Sequence, residues 1–559
     1  MLANRVVLKQ NDTFCVSDDS GDFPDQDDHG FGLYRQDCRF LSTYELRVNG
    51  EVPILLSHSV DRAYVATFQM VNPELEGLDG TVIPRQTLSI RRTRFVHDGL
   101  HERIGLQNCS THPMEMEVEL RFGADFLDIF SVRGYGPPRE QGTVKAPRID
   151  RGELVLAYQG LDRVPRQTRI VIDPAPRLEA GRATIPIKLA PQEVFVCVVG
   201  ILPLLDEEPE QMPDFETALD DLERTYRTWN DTSTLMTTDN EIFDDAIRWR
   251  NLEDLRVLSD DRPTGLLPTA GIPWYAVPFG RDALITSMQT LGLNPDIARG
   301  SLRYLAQEQG REIDEDREEE PGKIMHEIRF GELARLRKIP HTPYYGSVDA
   351  TPLFLVLLVE LLDWTGEVEL LNELWPNVEA ALEWIDRYGD RDGDGFVEYS
   401  RHSRFLGVRN QGWKDSRESL MWAKDEPAPL PAALVEVQGY VYRAKAGLAR
   451  WCRHTGRQDL ARRLDEQARD LRARFEERFW MPDARYYAQA LDGQKRQVPS
   501  ITSNPGHCLW SRAVPAEHAA QVVHRLLRED MASGWGLRTL SSHSSRYNPM
   551  SYHNGSVWP

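Results

Sequence analysis

The sequence predicts a two-part fold. An N-terminal β-sandwich spans residues 1–212, a linker helix 213–234, and a ring of inner and outer helices, an (α/α)6 barrel, 235–559. Three observations predict it. All 13 tryptophans lie at or after position 229, so the composition shifts there. The hydrophobic period changes at the same place, from two residues to three or four. Beyond that point, short and long links between helical segments alternate without exception.

The strands come first. "MEMEVELRF" at 114–122 alternates apolar and charged residues, as a strand with one wet face does. "LRVNGEVPILL" at 46–56 reads as two strands around an Asn-Gly turn. "QTLSIRRTRFV", "TRIVID" and "VFVCVVGIL" are further strands. No long amphipathic helix precedes residue 214, and short strands over such a length predict a sandwich. "DFETALDDLERTYRTW" at 214–229 is then a helix with an Asp cap.

Helices are expected at about 240–258, 281–293, 295–310, 351–364, 367–388, 435–455, 457–480, 504–512 and 515–529. "GLN", "TGE", "TGR" and "VPA" are tight turns between pairs of them. The other links, 259–280, 311–350, 389–434, 481–503 and 530–553, are long. In a stack of antiparallel helix pairs, alternate links fall at opposite ends. One end therefore carries every long loop, where function concentrates. No fixed-period repeat supports a solenoid instead.

The long loops hold unusual polar and aromatic clusters. The first ends in Trp274, Tyr275, Arg281 and Asp282; the second holds His326, Glu327 and Arg329. The third contains "NQGWKDSRES", with Trp413, Lys414 and Asp415. Trp274, Trp413, Trp535 and Trp558 sit beside Gly or Pro in loops, whereas Trp364, Trp384, Trp451 and Trp480 sit in helices and are expected in the core. Loop tryptophans among Asp, Glu, Arg, Asn and His make a pocket that stacks on a sugar's apolar face and bonds its hydroxyls. Asp415, a loop carboxyl beside a Trp, suits a general acid whose proton affinity is raised by a crowded site.

Other signals are weaker. Asp390, Asp392 and Asp394 in "DRDGDGFVEY" resemble the first half of a calcium loop, but the twelfth position is Arg401, where an EF-hand needs Glu. A nonstandard Ca²⁺ site is an alternative to the plain Asp/Gly turn that the sequence favours, and no cofactor is expected. There is no phosphate-cradling or dinucleotide fingerprint, and no GxSxG around Ser556. Formal net charge is −21 with a pI near 5.2, which argues against a nucleic-acid partner. No apolar run reaches a bilayer's thickness and no leader is read, so no membrane partner and a cytoplasmic location are expected. The six cysteines are far apart in sequence and are expected to be mostly reduced core residues.

"IPWYAVPFGRDALI", "NQGWKDSRESLMWAKDEPAPLPAALVEVQGYVYRA", "TSNPGHCLW", "SGWGLRTLS" and "YHNGSVWP" resemble the bacterial amylo-α-1,6-glucosidase, glycogen-debranching type of glycoside hydrolase. "DTFCVSDDSGDF" and "GLYRQDCRFLSTYELRVNG" resemble that family's N-terminal β domain. The resemblance covers essentially the whole chain. It implies a six-hairpin glycosidase barrel that cleaves α-glucosidic bonds with inversion, acting on an α-glucan or oligosaccharide. It places the general acid on Asp415. It places sugar-holding groups on Trp274, Arg281, Asp282, Trp413, Lys414, Glu436, Gln438, His553 and Asn554; the loop residues Glu327 and Trp558 are expected to join them.

Inversion needs a second carboxylate as base. Nine helices of an expected twelve are read, so the ring is expected to be C-terminally incomplete, with the base beyond residue 559. Glu436 is the best carboxylate within the chain, as base or as sugar ligand. Two alternatives stand beside the debranching reading. One is a same-barrel hydrolase of another α-glycoside, such as a glucosylglycerate-like compound. The other is a non-catalytic carbohydrate-binding fragment without the base.

Overall fold

The computed structural model describes residues 5–25, 30–134, 142–206, 212–246, 251–401, 407–423 and 426–558. The chain divides into two compact units. The first comprises 1–261, 268–277 and 329–338; the second comprises 262–267, 278–328 and 339–559. The helix expected at 240–258 is described as Glu241–Asp245 and Leu252–Leu258, with 247–250 outside the described residues. Both pieces lie in the first unit, which therefore continues past the expected boundary at 235.

The first unit is built on antiparallel sheets. An eight-stranded sheet runs in the order 143–150, 153–159, 165–173, 194–205, 100–108, 88–96, 65–71 and 54–62. A four-stranded sheet orders 177–179, 182–189, 114–123 and 43–48. Inward side chains of both sheets share one core, including Leu46, Phe68, Ile104, Val118 and Ile201. The alternation read at 114–122 is the buried face of Met114–Gly123. The Asn-Gly turn is present: Asn49 and Gly50 have φ of 47° and 81°, and Val48 and Glu51 exchange backbone hydrogen bonds. Its flanking strands do not pair with each other, however. Thr43–Val48 pairs with Met114–Gly123, while Ile54–Arg62 pairs with Val65–Val71. The turn is a crossing between sheets rather than a hairpin.

The helix Phe215–Thr232 is capped by Asp214, which accepts from the Glu216 and Thr217 amides. Its apolar face lies on the β domain. Tyr226 stacks on Tyr64 at 3.9 Å, and Phe215 meets Phe95 edge-on at 5.0 Å.

The second unit is a helical assembly around Ala350–Thr365. That helix is apolar on almost all sides and is ended by Gly366 at φ 74°, which supplies the left-handed cap of the "TGE" turn. Gly280–Gln289 and Val435–His454 both pack on it. A Cβ at Gly447 would come 2.5 Å from Val359 Cγ1, so glycine is what lets these two helices cross closely. Val435–His454 also packs on Gln458–Phe479 and on Asn504–Trp510. The helix expected at 367–388 is broken into Val368–Glu373, Trp375–Glu383 and a wider turn at Trp384–Gly389. Pro376 explains the first break, because it is accommodated only in the first turn of a new helix. Trp384 is core, but Trp364 is 64% exposed, against expectation. Five of the six cysteines are buried thiols and Cys109 is exposed. No helix among the described residues is long and apolar enough to cross a membrane.

Candidate active site

Four helix starts in the second unit carry the polar residues of the site. Arg281 and Asp282 open Gly280–Gln289; Asp349 immediately precedes Ala350–Thr365. Glu436 opens Val435–His454, and Asn504 opens Asn504–Trp510. The 410–419 loop lies against them. A Cβ at Gly412 would be 2.3 Å from Leu434 and 3.5 Å from Glu436 Oε1, so the glycine of "QGW" lets the loop press onto a helix start.

Asp415 is partly open to solvent, its side chain 28% exposed, whereas Asp349 and Glu436 are wholly buried. Arg281 Nη2 lies 3.6 Å from one of its oxygens, and His553 Nδ1 lies 3.9 Å from the other. Burial pushes the Asp415 carboxyl up to about 6; Arg281 opposes this, and the charges of Asp282 and Asp349 add to it. His553 does not supply a counter-charge. Burial, then the nearby Lys414 and Arg281 cations, hold its imidazole down to about 3, and its Nδ1 accepts from the Ser416 amide at 3.3 Å. Asp282 is likewise raised by burial, opposed by Arg281 and helped by Asp349 and Glu327.

Aromatic rings line the approach. His553 stacks on Trp558 at 5.5 Å and meets Trp413 edge-on at 5.8 Å; Trp413 and Trp558 are 6.1 Å apart. The Trp413 indole N–H is buried without a hydrogen-bond partner, as is the Ser416 hydroxyl.

Behind the loop, Tyr399, Asn410, Lys414, Glu436, Gln489 and Asn504 line a small polar cavity. Lys414 Nζ donates to the Thr539 carbonyl at 2.5 Å and lies 4.9 Å over the Trp413 ring. Burial lowers the proton affinity of the Lys414 ammonium and raises that of the Glu436 carboxyl, each opposed by the other's charge. Asn504 donates to Glu436 Oε1 at 2.9 Å, whereas Glu436 Oε2 is buried and unpartnered. An orphaned buried oxygen is costly unless something binds it.

Not every expected residue joins this group. Gln438 is buried and committed to the backbone of Val397 and to the Leu434 carbonyl, with both amide hydrogens used. Asn554 donates to the Glu418 carbonyl and braces the loop. Glu327 is buried, bridged through its backbone to Phe279 and Tyr344, with its carboxylate 3.5 Å from His341 Nε2. Trp274 belongs to the first unit, where its ring lies against Gly30 and Arg133. Asp349, which the sequence reading passed over inside "YYGSVDATP", is wholly buried and binds Arg281.

The Asp390, Asp392 and Asp394 carboxylates do cluster. The Lys495 ammonium bridges two of them and Glu398, 2.9 Å from Asp392, 2.7 Å from Asp394 and 2.9 Å from Glu398.

Two families of known proteins match parts of the chain. Residues 8–199 match the family described as the N-terminal domain of (some) glycogen debranching enzymes. Residues 281–559 match the mannosylglycerate hydrolase MGH1-like glycoside hydrolase domain. No curated protein matches the sequence. Among solved structures, a bacterial glucoamylase complexed with acarbose aligns with a TM-score of 0.56 at 9% identity, over 99% of this chain and 83% of that one. A protein assigned as a kojibiose phosphorylase from the human microbiome aligns with a TM-score of 0.55 at 8% identity, over 87% of this chain and 69% of that one. At such identities the likeness is one of fold, a β-rich domain followed by a helical glycosidase-type barrel. The chain thus joins an N-terminal domain of the glycogen-debranching type to a glycoside hydrolase domain of the MGH1-like family.

Proposed function

We propose that the protein hydrolyses α-glucosidic bonds, in the manner of an amylo-α-1,6-glucosidase, by an inverting acid/base mechanism with Asp415 as the general acid. The observation that carries this reading is the state of Asp415. Its carboxyl is raised to about 6, is partly open to solvent, and lies beside aromatic rings. A proton held there can pass to the glycosidic oxygen as the bond from that oxygen to the anomeric carbon breaks. Water then adds to the anomeric carbon from the opposite face, losing its proton to a carboxylate base, and the sugar leaves as the β-anomer. Arg281 and Asp282 are assigned to hydroxyls of the bound sugar, and Trp413, His553 and Trp558 to its apolar face; Glu436 lies buried behind the loop. Lys414 supports the pocket from behind.

A second substrate reading is favoured by the family matched over 281–559, whose description names a mannosylglycerate hydrolase. In it, the same acid cleaves a short α-glycoside of a small hydroxy acid. A panel of branched and linear α-glucans, isomaltose-type oligosaccharides and glyceryl glycosides, followed by anomeric NMR, tests both. The debranching reading expects β-glucose from α-1,6-linked substrates. Turnover confined to glycerate glycosides would replace it with the second reading. Release of the α-anomer would rule out inversion.

A further inference from the structure

Arg281 is shared between two carboxylates of very different exposure. Its Nη1 donates to both oxygens of Asp349 at 3.1 Å, and its Nη2 stands 3.6 Å from Asp415, beyond hydrogen-bond distance. Asp349 has no exposed surface, and its Oδ1 also accepts from the Ser347 hydroxyl at 2.6 Å. A wholly buried carboxylate is stable as an ion only beside a fixed cation, so Asp349 draws the guanidinium toward itself. A guanidinium free to turn would instead form a paired bridge with Asp415 and hold it ionised.

We propose that Asp349 is a positioning residue: by engaging one nitrogen of Arg281, it keeps Arg281 from closing a full ion pair on Asp415, and so leaves Asp415 able to carry the proton that the reaction needs. The proposal rests on the assignment of Asp415 as general acid. The charged and titratable groups facing Asp415 fit it. Arg281 and Asp282 come from the helix start at 280, Asp349 from the helix start at 350, and His553 from the C-terminal segment. Burial and the nearby Lys414 and Arg281 hold the His553 imidazole down to about 3, and the neighbouring Lys414 is turned away onto the Thr539 carbonyl. Among the described residues Arg281 is therefore the cation that Asp415 meets, and Asp349 is the group that restrains it.

The test is Asp349→Asn, an isosteric change that keeps an acceptor but removes the charge. Two readouts apply: the pH profile of kcat/KM, and the titration of the Asp415 carboxyl by ¹³C NMR of Asp-labelled protein, assigned with Asp415→Asn. In Asp349→Asn both midpoints are expected to move down by about one pH unit, a roughly tenfold loss of kcat/KM on the alkaline side. Asp349→Glu is expected to restore them toward the parent values. A folded Asp349→Asn protein whose Asp415 titrates as in the parent would overturn the proposal. Should Asp349→Asn not fold, Arg281→Gln serves instead: the Asp415 midpoint is expected to rise, and an unmoved midpoint overturns the proposal equally. Full turnover in Asp415→Asn would sink the general-acid assignment, whereas the NMR titration would still report whether Asp349 controls Asp415.

Discussion

Gln438 holds Val397 from both sides: its side-chain oxygen accepts from the Val397 amide at 3.0 Å, and its side-chain nitrogen donates to the Val397 carbonyl at 2.7 Å. The same nitrogen reaches the Leu434 carbonyl at 3.0 Å. All of this is buried, so removing the side chain takes a hydrogen-bond partner from three backbone groups. Gln438→Ala is expected to cost about 2–4 kcal/mol of stability. Denaturant unfolding measures the loss. KM of the folded fraction is expected to stay unchanged; a large rise in KM with little loss of stability would return Gln438 to the sugar site.

Turnover should fail as Asp415 loses its proton. With its carboxyl raised to about 6, kcat/KM is expected to fall as pH rises through that value. Asp415→Asn is expected to lower kcat by about 10²–10⁴-fold and to abolish that limb. A pH–rate profile on the best substrate of the panel checks both. An alkaline limb that survives in Asp415→Asn would assign the acid elsewhere.

The same carboxyl also destabilises the fold at neutral pH. Its ordinary value is 3.8 and its folded value about 6, so the folded state binds the proton more tightly than the unfolded one. The stability this supplies is complete below 3.8 and is lost as pH rises through 6. Asp415→Asn carries no charge to desolvate. It is therefore expected to be more stable than the parent at pH 7, by about 1–3 kcal/mol, with the difference shrinking toward pH 4. Unfolding midpoints at the two pH values measure this. A variant less stable than the parent at pH 7 would refute the burial account.

How much of this was legible beforehand depended on where the chemistry sat. Asp415, Trp413 and Lys414 stood out because a polar loop has no helix face to explain them. Arg281, Asp282 and Glu436 were legible as charged groups at helix starts beside long loops. Asp349 occupies the same kind of position, but an Asp before an apolar helix reads first as a cap. The signal that could have found it was its likeness in position to Arg281 and Glu436, not its local sequence. Gln438 misled for the opposite reason. Two residues after Glu436 on a helix, it turns roughly 200° away and meets a different neighbour. The Asn-Gly turn fixed a reversal of the chain but not which strands pair, because pairing is decided by partners distant in sequence, such as Met114–Gly123 for Thr43–Val48.

The acidic loop at 390–398 offers the last prediction. Asp390 accepts from the Gly393 and Gly395 amides at 2.9 and 3.0 Å, which shapes the turn. Asp392, Asp394 and Glu398 converge on the Lys495 ammonium, whose hydrogen bonds to Asp394, Glu398 and Asp392 hold its proton on against the effect of burial. An ammonium already among the carboxylates must leave before a divalent cation can bind. Millimolar Ca²⁺ and EDTA are therefore expected to give the same melting temperature for the parent protein. Lys495→Met strips the carboxylates of their cation and is expected to cost about 1–2 kcal/mol, discounted for the part-exposed geometry. In that variant Ca²⁺ is expected to recover some of the loss. A parent protein that melts higher in Ca²⁺ than in EDTA would show that the metal displaces Lys495, and would make this turn a cation site.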